Sequence, residues 1–118
     1  MSGVLALLST AAGNAFSVAA SSVSKTDSGF AASGTVTTSE TPGTTPTGGT
    51  APYTYAWTKF SGSSVPAVSD ATAQNPTWSG TVNSEVEEVA VWRVMVTDDA
   101  GAIAFRNITV TLRWFNLF

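Results

Sequence analysis

Two stretches decide the architecture: Gly48 to Trp57, GGTAPYTYAW, and Val91 to Gly101, VWRVMVTDDAG. In the first, a glycine and proline turn feeds a strand whose aromatic residues Tyr53, Tyr55 and Trp57 share one face. In the second, Trp92, Val94 and Val96 alternate with Val91, Arg93 and Met95 and run into an Asp-Asp-Ala-Gly hairpin turn. Period-two alternation belongs to a sheet with one buried face, and turning Trp92, Val94 and Val96 inward sets Val94 opposite Trp57. The pair reads as the central strands of an antiparallel β-sandwich.

Working outward, Ala15 to Val23 alternates weakly and predicts a first strand, and Gly34 to Glu40, GTVTTSE, a second with its threonines toward solvent. Thr41 to Thr50 is a low-complexity loop of turn formers. Tyr53 to Phe60 forms the central aromatic strand, Val65 to Val68 a short one, and Asn75 to Val82 the next, followed by an acidic turn at Glu85, Glu87 and Glu88. A last strand from Ala102 to Leu112 turns Ile108, Val110 and Leu112 inward. Trp57 falls where immunoglobulin-like sandwiches keep their core tryptophan, and Val94 where an antibody domain has its second cysteine.

The termini are unusually apolar. Residues 1–13 place Val4, Leu7, Leu8 and Ala11 on one helical face, with Ser2 as a cap and Gly13-Asn14 as a stop, which predicts a short apolar helix or docking arm. A secretory signal is the rival reading, but no Lys or Arg precedes Lys25, so its charged leading region is missing. The run is also well short of the ~20 apolar residues of a membrane span. At the other end, residues 113–118 read Arg-Trp-Phe-Asn-Leu-Phe, a tail beyond the sandwich of residues 14–112. Left in water, such a tail is an apolar patch that monomers avoid. It either folds over the open end of its own sandwich or is buried in a neighbour. The expected interface residues are Val4, Leu5, Leu7, Leu8, Trp114, Phe115, Leu117 and Phe118, and removal of the tail is expected to leave the fold largely intact.

Composition narrows the function classes. The 118 residues suffice for one sandwich, with 43% hydrophobic content to fill it. Only 11% of residues are charged, far below the ~25% of ordinary soluble domains, which suits a surface that lies against other protein. A net charge of -3 and five scattered basic residues exclude a nucleic-acid partner, whose phosphates need clustered Lys and Arg. The absence of His and Cys removes zinc sites, histidine-based catalysis and the disulfide of antibody domains. Asp98, Asp99 and Asp70 have the oxygen chemistry of a calcium site, but a bare DDAG turn is what a hairpin requires on backbone grounds alone. Tyr53 is a loop aromatic of the kind that stacks on sugars, with nothing to set it apart from packing. No catalytic, cofactor-binding or metal residue is assigned, and the chain reads as a non-enzyme.

GGTAPYTYAW followed by VTDDAGA resembles the polycystic-kidney-disease (PKD) type of immunoglobulin-like domain over roughly Ser33 to Leu112. The resemblance implies an all-β, immunoglobulin-like antiparallel sandwich of a kind common in extracellular bacterial proteins and phage structural proteins. One sandwich hosts many roles, so no functional residues transfer with it. The whole layout is similar to small single-domain structural proteins of tailed bacteriophages. That resemblance implies a virion protein, assembled in the host cytoplasm and associated with tail, baseplate or tail fibre. It would dock through its apolar termini onto other virion proteins and copies of itself, with a weak contact to the host surface left open. A capsid decoration protein is the alternative in the same class. A secreted adhesion or carbohydrate-binding module, extracellular and with its start removed, is the alternative from another.

Overall fold

The computed structural model describes residues 15–118, and the apolar start with Val4, Leu5, Leu7 and Leu8 lies outside the described residues. The strands are β1 (Ser17–Ala19), β2 (Val23–Gly29), β3 (Ser33–Thr37), β4 (Thr45–Thr47), β5 (Thr54–Gly62), β6 (Ala67–Val68), β7 (Trp78–Asn83), β8 (Glu87–Thr97) and β9 (Ile103–Asn116). One sheet has the order β2-β9-β8-β5; facing it are β3-β7-β6 and the small β1-β4 pair. The predicted register holds, with Trp57 on β5 paired to Val94 on β8. Trp57, Trp92, Val94 and Val96 share one buried cluster, onto which Tyr53 and Tyr55 pack.

Three tryptophans fill the centre between the sheets. Trp78 on β7 stands edge-on to Trp57 of the opposite sheet, with ring centroids 5.2 Å apart and planes at 83°, and 5.9 Å from Trp92 at 63°. Tilted and edge-to-face contacts of this kind bring the positive ring edge to the negative ring face and add to the energy of area burial. Trp57 Nε1 donates to the Ala73 carbonyl at 2.9 Å. The buried Nε1 atoms of Trp78 and Trp92 have no conventional acceptor among the described residues.

The hairpin between β8 and β9 is organised by Asp98. Its carboxylate accepts the backbone N–H of Ala102 at 2.7 Å, of Ala100 at 3.1 Å and, across the gap to the loop before β5, of Thr50 at 2.8 Å. Gly101 sits at φ +89°, the left-handed region that closes the turn and disfavours a side chain.

The structure differs from the sequence reading at five places. The first strand is split: β1 pairs with β4, the chain crosses at Ser21 and Ser22, and β2 joins the other sheet parallel to β9, so that sheet is mixed. The turn-rich loop contains β4, which supplies the partner for β1. Thr38 is buried rather than solvent-facing, and its Oγ1 accepts the backbone N–H of Trp78 at 3.0 Å. Glu87 and Glu88 lie inside β8 rather than in the turn before it. The last strand runs on to Asn116 through residues read as a tail.

Replacing Trp78 by Ala removes the side chain that contacts both other indoles, and is expected to cost about 3 to 5 kcal/mol of stability in urea unfolding. An unchanged urea midpoint would show that the cluster is not the centre of the core.

Candidate docking surfaces

No enclosed pocket and no metal-holding group of acids is present among the described residues. The loop residues singled out by sequence are engaged locally. Asp98 is buried under backbone donors. The Asp70 carboxylate accepts the backbone N–H of Thr72 at 2.9 Å and its hydroxyl at 2.7 Å, which together hold it below the usual carboxylate range. Tyr53 is stacked on Phe16 with centroids 5.9 Å apart and planes at 9°, and its hydroxyl donates to the Gly48 carbonyl at 2.8 Å, so that face of the ring is taken.

The structure divides the carboxyl-terminal residues into two kinds. Trp114 continues the inward row Ile108, Val110, Leu112 along β9 and packs against the buried cluster of Val36, Val82 and Leu112. Its indole lies on Gly29 and Gly34, where an added Cβ would run into the ring, and its Nε1 donates to the Ala31 carbonyl at 3.0 Å. The Trp114 backbone carbonyl accepts from Glu85 N–H at 2.9 Å, and Leu117 N–H donates to the Gly29 carbonyl at 2.8 Å. Phe115, Leu117 and Phe118 remain exposed. Phe118 is 88% exposed, and its ring touches Phe30, 69% exposed, at a centroid distance of 5.8 Å. Together they make an apolar tip.

The described chain starts at the other end. Phe16 lies on Tyr53, a Cβ at Gly49 would meet both Phe16 and Asp98, and Ser17 pairs with Thr47. The first described residues therefore lie beside the hairpin that precedes β9, whereas the Phe30 and Phe118 tip lies beyond that strand's other end. At ~3.4 Å per residue, the 14 residues of β9 separate the two ends by about 45 Å. The start of the described chain and the apolar carboxyl-terminal tip thus lie at opposite ends of the sandwich, which a linear sequence does not reveal.

The fold defines the class: an immunoglobulin-like sandwich of PKD type. The chain is similar to the solution structure of the PKD domain (329–428) of human KIAA0319, with a TM-score of 0.51 and 12% identity over 87% of this chain and 85% of that one. At that identity the likeness is one of fold. In sequence the chain is similar to the decoration protein of Escherichia phage T5, 48% identical over 54 residues, which are 46% of this chain and 29% of the phage protein. The match therefore spans under a third of that protein's length. No family model matches the chain. The resemblance of GGTAPYTYAW and VTDDAGA to PKD-type domains and that of the whole layout to phage structural proteins both hold. Neither relative carries the name of an enzyme.

Truncation after Arg113 removes Trp114 from its glycine cradle and is expected to destabilise the domain by about 2 to 3 kcal/mol, whereas Phe118→Ser stays within about 0.5 kcal/mol of the parent in thermal and urea unfolding. Equal effects of the two changes would contradict this division of the tail.

Proposed function

We propose that this chain is a bacteriophage virion structural protein that decorates the capsid. Its apolar amino-terminal segment, Val4, Leu5, Leu7 and Leu8, docks on the shell, and the sandwich projects from it. The observation that carries the reading is the 48% identity over 54 residues with a phage decoration protein. The geometry is compatible with it: the described chain starts at one end of the sandwich, which leaves the Phe30 and Phe118 tip free at the other. The low charge is consistent with a protein held among neighbours rather than free in solution. On this reading Trp114 serves the fold, and Phe115, Leu117 and Phe118 at the far end are available to a neighbouring virion protein. The comparisons favour decoration over the tail, baseplate or fibre attachment expected from the sequence, for which they offer no support.

Purified chain mixed with undecorated DNA-filled capsids and, separately, with isolated tails is expected to co-sediment with the capsids at a fixed copy number and not with the tails. Binding to tails alone would sink the capsid reading. Deletion of residues 2–12 is expected to leave a folded domain, with its unfolding midpoint close to the parent's, that no longer co-sediments. Normal binding by that deletion would remove the amino-terminal segment from the docking role.

A further inference from the structure

The outward face of the β5-β8-β9 region carries a feature that neither the core nor the ends use. Arg93 on β8 lies between two phenylalanines from the flanking strands, with its guanidinium carbon 4.3 Å from the ring centroid of Phe60 on β5 and 5.5 Å from that of Phe105 on β9. Its Nε donates to Asn107 Oδ1 at 2.9 Å, while its two terminal nitrogens donate to nothing among the described residues. Phe60 is 55% and Phe105 56% exposed. Arg93 pairs across the sheet with Thr58 and Asn107, and its same-face neighbours Val91 and Met95 are also uncharged. The one ion pair among the described residues is Arg113 with Glu87, farther along β8 and β9.

We propose that the Phe60, Arg93 and Phe105 stack is a docking site for an acidic side chain of a partner protein, a Glu or Asp flanked by apolar residues. Charge and shape both point to that occupant. A guanidinium whose Nε is fixed and whose plane is held by aromatic rings presents its free edge in the fork geometry that carboxylates accept in bidentate fashion, with little ordering left to do. No carboxylate among the described residues is paired with it. Exposed Ile103, on the same face two residues before Phe105, extends the apolar rim. That rim is covered by a peptide with apolar residues beside its acid and left wet by a hydrated sugar acid. The site lies on the side of the sandwich, so it is independent of the capsid reading and is scored on the chain alone.

The test follows the Arg93 Nε–H and the Phe60 and Phe105 ring signals of the full chain by NMR during titration with the peptide acetyl-Leu-Glu-Leu-amide. The expected result is a saturable shift with a Kd on the order of millimolar, as befits one exposed charge-assisted contact. The acetyl-Leu-Gln-Leu-amide peptide is expected to bind at least about tenfold more weakly, and Arg93→Lys to lose binding of the Glu peptide by a similar factor. Asn107→Ala, which frees the guanidinium, weakens binding less. Because these residues face outward, the indole N–H signals of Trp57, Trp78 and Trp92 should stay in place and report an intact core. Absence of saturation, equal binding of the Gln peptide, or undiminished binding to Arg93→Lys would overturn the proposal. Glucuronate binding as tightly as the Glu peptide would overturn its assignment to a protein partner.

Discussion

The contact of Trp78 with Trp57 and Trp92 is the interaction on which the rest of the structure depends. Antibody-type sandwiches are stapled between sheets by a disulfide packed on a tryptophan. This chain has no cysteine. Its inter-sheet tie is made by three indoles, with Trp78 from the β3-β7-β6 sheet inserted against Trp57 and Trp92 of the other. Directional packing replaces a covalent bond, and it fixes the relative position of the sheets only while each ring keeps its angle. The surrounding valines, Val94 and Val96 among them, are fully buried and leave no slack for the rings to slide.

With the centre fixed, β9 acts as the spine of the molecule. It pairs with β8 from Ile103 to Arg113 and with β2 from Val110 to Asn116, so it outlasts its first partner and continues on its second. That handover carries Trp114 into the second apolar cluster, beneath Gly29 and Gly34, and delivers Phe115, Leu117 and Phe118 to the far tip. The amino-terminal end is held in turn by Asp98, which binds the hairpin before β9 to the loop before β5. The two ends of the described sandwich are held apart by the full length of β9. That separation follows from strand length rather than from any special residue.

How much of this was legible in the sequence depended on whether burial imposed a period. The pairing of Trp57 with Val94 was readable because β8 alternates strictly between buried and less buried positions and Tyr53, Tyr55 and Trp57 fall on one face of the chain entering and forming β5. β2 was not, since VSKTDSG is an edge strand with little apolar content, and its parallel pairing to β9 leaves no local signature. β4, the tripeptide Thr-Pro-Thr, is indistinguishable from a loop until β1 is placed beside it. The alternation Ile108, Val110, Leu112 does continue to Trp114, but outward-facing Phe115 interrupts the polar half of the pattern and makes the end look like a separate tail. The Arg93 stack was out of reach altogether. Phe60 lies within a register shift between Lys59 and Ser61, and it meets Arg93 and Phe105 only once three strands are aligned.

The central claim is that the sandwich stands on a capsid by its amino-terminal end. A cryo-electron-microscopy map of decorated particles tests it most directly, because the Phe16 and Tyr53 end and the Phe30 and Phe118 tip are far enough apart to be told from each other. The account predicts density for the domain on the shell, with the Phe16 end toward the capsid and the Phe118 tip directed away. A domain docked by the Phe118 tip, or density on the tail with none on the shell, would contradict it.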